Sequence, residues 1–284
     1  MGLIGAFQTA KPEPETIKKE IIKSGTWTVP DGVYEIHIMC IGGGGSGAYG
    51  VMGNIGLGGG GGYLAEGDFD VTPGTNLTVT IGAGGTKVTS ATGNNGGATS
   101  VTYSSTTLLS AAGGEGGQGR NDSPKVPGHA GNGGTGGGSA VVRDSGSTYE
   151  YPAGNGQYGG CGGSTYSMGA SNGQGTRTAL GGKAVMDRGG LYVYGGGGGG
   201  GMNGGNGGDG AAISNSSISA AAGGGGGGYG TTKKAGDGKM GTVLGGKGGT
   251  GYGAGGGGGA YWNDNAGYAG AGAPGICVIQ YKKG

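Results

Sequence analysis

The chain has 284 residues, of which 89 are glycine, and a net charge of +1. Such a balance offers no basic footprint for nucleic acid, and no apolar stretch is long enough to enter and cross a bilayer. Collagen is excluded too, because the glycines are clustered and there are only 8 prolines where a triple helix needs glycine strictly every third residue.

The N-terminal residues Met1-Gly2-Leu3-Ile4-Gly5-Ala6-Phe7 lack the basic region and apolar run of a signal peptide. Residues 11–23, KPEPETIKKEIIK, are the most densely charged stretch. Pro12 and Pro14 keep its start extended, and residues 15–23 read as a short amphipathic helix with Ile17, Ile21 and Ile22 on one side. A solvated linker is the other reading. In the functional reading, Leu3, Ile4, Phe7, Ile17 and Ile21 dock the segment on another protein.

Strand signals begin at Gly25. Thr26-Trp27-Thr28-Val29 runs into the turn Pro30-Asp31-Gly32. Residues 33–41 follow, with Tyr34, Ile36 and Ile38 alternating against Glu35 and His37. Tyr63-Leu64 leads into residues 68–71, then the turn Thr72-Pro73-Gly74-Thr75. Leu77-Thr78-Val79-Thr80-Ile81 has a clean period of two. Residues 98–103 and 107–111 suggest two more strands. The signals then thin out until residues 276–281 at the end of the chain.

A single terminal strand cannot stand alone, so it is expected to pair within the N-terminal sheet. The expected fold is an all-β sandwich with little α-helix; a jelly roll of the tumour-necrosis-factor type is one form it could take. Its core would hold Trp27, Val29, Ile36, Ile38, Phe69, Leu77, Val79, Ile81, Val278 and Tyr281. The expected division is an attachment segment or linker at 1–24, the sandwich at 25–103 plus 273–284, and a glycine-rich insert at 104–272.

Uninterrupted glycine runs occur at 42–45, 58–62, 195–201, 223–228 and 255–259. They have no side chains to bury. A flexible linker would rarely place Leu191-Tyr192-Val193-Tyr194 or Tyr261-Trp262 beside such runs. Disorder of these stretches is one reading; the other is a bundle of polyglycine II helices, extended and with three residues per turn, which make no internal hydrogen bonds. Each amide must then find a partner on a neighbour, and only glycine lets backbones approach that closely.

Several pieces taken in order carry a resemblance: Trp27-Thr28-Val29-Pro30-Asp31-Gly32-Val33, residues 38–45, 58–63, 71–74 and 79–85, and the closing 274–281. Together they resemble a glycine-rich domain of bacteriophage tail-fibre and receptor-binding proteins, over about residues 25–284. The resemblance implies a tip adhesin, made in the host cytoplasm without a signal peptide and carried on the virion. Its polyglycine scaffold would display loops to a bacterial surface receptor, an outer-membrane protein or a glycan. Other tail-fibre proteins would bind through the N-terminus, and the family analogy suggests a homotrimer. A purely structural virion or fibre subunit is the alternative.

No chemistry is expected. His37 and His129 are far apart, with no carboxylate or cysteine at ligand spacing. Residues 241–247 nearly match a phosphate loop, but Gly248 stands where Ser or Thr is needed. Catalytic residues, metal and cofactor are all expected to be absent. Cys40 and Cys277 read as buried free thiols, or as a disulfide if their strands are neighbours; Cys161 lies among glycines. Fifteen tyrosines against two phenylalanines favour recognition, since tyrosine combines area, stiffness and a hydroxyl. The candidate loops are 120–125, 141–151, 163–178, 213–218, 231–240 and 261–268. Within and beside them, Tyr149, Tyr151, Tyr158, Tyr166, Tyr261 and Trp262 are the candidate receptor contacts.

Overall fold

The computed structural model describes residues 15–49, 56–119, 121–122, 125–126, 130–134, 136–137, 140–144, 147–151, 154–155, 185–188, 191–194, 211–214, 218–222, 252–258 and 269–283. Among these residues the structure is all-β, without α-helix. The first strands are β1 (Glu15–Ile21), β2 (Gly25–Thr28), β3 (Glu35–Ile41), β4 (Leu64–Asp70), β5 (Asn76–Thr80), β6 (Thr99–Tyr103) and β7 (Thr106–Ala111). Short strands follow: β8 (Asn121–Asp122), β9 (Lys125–Val126), β10 (Ala140–Asp144), β11 (Ser147–Tyr151), β12 (Val185–Arg188), β13 (Leu191–Tyr194), β14 (Ala211–Ser214) and β15 (Ile218–Ala222). The chain closes on β16 (Ile276–Lys283).

Two antiparallel sheets organise the chain ends. One has the order β1-β16-β3-β4 and the other β2-β5-β6-β7. The expected terminal strand does join the N-terminal strands, as β16, and it lies between β1 and β3. Its partner β1 corrects the helix read at 15–23. Ile17 and Ile21 satisfy both the four-residue helical spacing and the two-residue strand spacing; pairing with β16 from Glu15↔Lys283 to Ile21↔Cys277 settles it as strand. Both β1 and β7 lie outside the 25–103 limits, so paired strands extend past them on either side.

Both sheets feed one apolar cluster. Ile36, Ile38, Cys40, Cys277 and Ile279 come from the first sheet, and Leu77, Val79, Val101 and Ala111 from the second. Each fully buried aliphatic side chain of this size is worth about 1.5–3 kcal/mol. Trp27, Phe69, Ile81 and Tyr281, also expected in the core, pack against its edge. Val278 does not belong there. In a strand, neighbours point to opposite faces, and Cys277 and Ile279 take the core side. Val278 instead joins Met39, Ile41, Leu64 and Ile276 in a second cluster, with Tyr252 packed on it.

The two turns read from sequence have the expected chemistry. Val33 donates its amide to the Pro30 carbonyl, and Thr75 donates to that of Thr72. Their third residues, Gly32 and Gly74, have φ of 76° and 78°, the conformation that favours glycine at that place in a type II turn.

Where β3 ends, the backbone enters a different kind of order. From Gly42 onward each successive amide turns to a different neighbour. Gly42, Gly45 and Ala48 donate to Tyr63, Gly60 and Leu57. Gly43, Ser46 and Tyr49 donate to Gly97, Asn94 and Ser90, while Gly44 and Gly47 donate to Ala273 and Gly270. The pattern repeats every three residues. Carbonyls of the same segment accept from others: Gly43 from Gly114, Gly44 from Gly85, Gly45 from Gly256 and Ser46 from Gly117. The segment 42–49 is thus held to several neighbours, chiefly through backbone.

Thr99 seals the junction between sheet and glycine segments. It is fully buried, and its hydroxyl accepts the Gly82 amide at 3.0 Å. Thr99→Val keeps the shape and removes that acceptor. A buried amide left without a partner costs about 1–3 kcal/mol. Urea unfolding of this variant is expected to show a loss of that size, and an unchanged midpoint would deny the bond its role.

Candidate functional site

The strands of the first sheet define two ends. Glu15, Glu35 and Lys283 lie at one end, and Ile21, Ile41 and Ile276 at the other. The glycine segments leave and return at the second end, through Gly42 and Gly275. The chain therefore enters β1 and leaves β16 at the pole away from them.

One hairpin, β10–β11, is flanked by the glycine network. Gly137 donates its amide to Gly131, and Gly154 donates to Gly137. Those residues stand just outside the paired strands β10 and β11. Both legs of that hairpin are rooted in hydrogen-bonded backbone. Tyr149 and Tyr151 lie on β11, opposite Val142 and Ala140. β10 also pairs with β15, and β15 with β14, so two hairpins far apart in sequence share one four-stranded sheet, β11-β10-β15-β14.

Three of the expected loops therefore contain strand. Residues 120–125 overlap β8 and β9, 141–151 lie in β10 and β11, and 213–218 join β14 to β15. The signal was present in sequence. Ser145-Gly146 and Gly189-Gly190 are two-residue links between short alternating stretches, a recognised hairpin pattern. Tyr158, Tyr166, Tyr261 and Trp262 lie outside the described residues, as do Leu3, Ile4 and Phe7. Ile17 and Ile21 are half-buried in β1, and Ile21 packs on the core.

Polar side chains clasp neighbouring glycine segments. The Asn94 amide donates to Ser46 Oγ at 2.8 Å, and the Gly116 amide to Asn95 Oδ1 at 2.8 Å. Asn132 donates through its backbone amide and Nδ2 to Glu115 Oε2, and Asn155 donates to Asn132 Oδ1. Burial, then the charge of Glu115, push the Tyr63 phenol above its usual pKa. None of these contacts was anticipated from sequence, where such residues look like ordinary interruptions of glycine runs.

A cleft of about 450 Å³ opens at the chain-end pole, lined by Thr16, Tyr34, His37, Asp68, Gln280 and Lys282, among others. His37 Nδ1 lies 2.7 Å from Asp68 Oδ1, and Nε2 lies 3.8 Å from Glu66 Oε2. Tyr34 is 68% exposed beside it, contrary to its inward place in the alternation. Among the described residues no group of three or more His, Cys, Asp or Glu side chains is placed to hold a metal ion. What the cleft offers is hydrogen bonding and the aromatic side chains of Tyr34 and Tyr281.

The family model of the glycine-rich domain matches residues 20–244, more than half of the chain. The chain belongs to that glycine-rich domain family. No curated protein matches it.

Proposed function

We propose that this chain is the tip adhesin of a bacteriophage tail fibre. In this reading it is a virion protein that binds an outer-membrane protein or glycan of a bacterium and performs no covalent chemistry. The two sheets form a β-sandwich, of the tumour-necrosis-factor-like jelly-roll kind, and the glycine segments form polyglycine II helices. A three-residue repeat of amide partners is what such helices require. The N-terminal residues join other fibre proteins at the opposite pole, and the assembled fibre is a trimer.

The observation that carries the reading is the rooting of the β10–β11 hairpin. A recognition element that springs from hydrogen-bonded backbone on both sides loses little freedom on binding. Its tyrosines supply stiff amphipathic area. The resemblance to phage receptor-binding proteins supplies the partner class.

Purified protein is expected to adsorb to its host among a panel of bacteria and to compete with the phage. Changing Tyr149, Tyr151, Tyr261 and Trp262 to alanine should weaken adsorption at least about thirtyfold, since a hot spot is worth roughly 2 kcal/mol or more. The melting curve shows whether that variant is still folded. Wild-type protein that adsorbs to no plausible host would favour a structural fibre subunit instead.

A further inference from the structure

Cys40 and Cys277 stand directly opposite each other on β3 and β16. Both are fully buried, and neither is bridged. The kind of pairing follows from bonds nearby. Gly42 donates its amide to Tyr63, and Val71 donates to Tyr34, at the two ends of the β3–β4 ladder. Hydrogen-bonded positions alternate along an antiparallel strand. The even-numbered residues of β3, Cys40 among them, therefore turn their amides and carbonyls toward β4. Facing β16, Cys40 and Cys277 are a non-hydrogen-bonded pair. Such pairs have Cα atoms about 4.5 Å apart and the closer side chains. That separation falls within the roughly 4.4–6.8 Å that a disulfide spans.

We propose that Cys40 and Cys277 are an oxidisable pair that cross-links β3 to β16 when the chain meets a small-molecule disulfide such as oxidised glutathione. One thiol gives up its proton and attacks a sulfur of the reagent, releasing one reagent thiol. The second then attacks the mixed disulfide at the protein sulfur and releases the other. The two protein thiols lose two electrons and two protons, and the reagent becomes two thiols.

The hydrogen bond between the two thiols, and then burial, hold the Cys40 pKa well above its usual value. Thiolate is the attacking form, so the closed sheet resists reaction. The cross-link forms while β16 is open, during folding or local unfolding. Its position gives it a consequence beyond the pair. Every glycine run lies between residues 40 and 277, so the bond closes the whole glycine-rich region into one covalent loop at its base.

The test is to refold full-length protein from denaturant in a mixture of reduced and oxidised glutathione, and in parallel with excess reductant. Peptide mapping without reduction should join the Cys40 peptide to the Cys277 peptide and leave Cys161 free. The oxidised protein should melt about 5–15 °C above the reduced protein. Because the reference is the reduced wild type, no variant needs to fold. A Cys161→Ser chain should give the same bridge and the same shift. Free thiols at 40 and 277 after oxidative refolding, a bridge that uses Cys161, or an oxidised protein melting no higher than the reduced one would each overturn the proposal.

Discussion

Gly44→Ala is expected to lose about 3 kcal/mol or more of stability, enough to loosen or unfold the glycine-rich segments. A methyl at Gly44 would land on the backbone carbonyl of Ala254. That obstacle is main chain and cannot swing aside as a side chain could. The amide of Gly44 is already committed to Ala273 at 2.9 Å, and its carbonyl accepts from Gly85 at 2.8 Å. Making room means spreading segments that these bonds hold together. Overpacking alone costs about 1–3 kcal/mol, and each lost bond adds roughly 1 kcal/mol. Gly25→Ala is the control, because nothing lies within 4 Å of its added methyl; its effect should stay within about 0.5 kcal/mol. Urea titration of the two variants beside wild type measures the contrast. Equal stability for Gly44→Ala would mean that the segments are not in backbone contact.

Ending the chain at Gly275 is expected to abolish the fold. The lost strand, β16, is bonded on both sides, to β1 and to β3. With it go Ile276, Cys277, Val278 and Ile279, all fully buried and shared between the two apolar clusters. At about 1.5–3 kcal/mol each, their burial is comparable with the whole stability of a typical domain, about 5–15 kcal/mol. β3 would also become an open apolar edge, which invites aggregation. Removing only residues 282–284 spares the register up to Tyr281 and should leave a folded protein. Circular dichroism and gel filtration distinguish the two truncations. A soluble, cooperatively melting chain that ends at Gly275 would show that β16 is dispensable.

Much of the two-sheet architecture was legible, because strands with one buried face advertise it through alternation. Leu77 and Val79 on β5 are buried between exposed neighbours. β1 was not legible, because Lys19 falls on its inward side and breaks the alternation, while Ile17 and Ile21 keep helical spacing. Tyr281 packs on the core as expected, but Val278 faces the other way, because all of Ile276, Cys277, Val278 and Ile279 are apolar and buried; a strand covered on both faces carries no parity signal. The short hairpins carry their signal in turn chemistry, in the links Ser145-Gly146 and Gly189-Gly190, rather than in long alternating runs. That amides in the glycine runs must find partners on other segments was legible from the runs alone. Which segments neighbour which was not, since glycine carries no chemical label by which one run could recognise another.

Segments without chemical labels need another means of finding a single alignment. In a ladder of bare amides that repeats every three residues, sliding one segment by three positions restores every bond. The glycine network therefore supplies cohesion without addresses. The addresses are the few side chains that interrupt it: Ser46 holds Asn94, Asn95 holds Gly116, and Glu115 holds Asn132, which in turn holds Asn155. Each clasp can be made at only one offset. A handful of polar residues thus does for this region what a patterned hydrophobic core does for an ordinary sheet, turning many equivalent stackings into one.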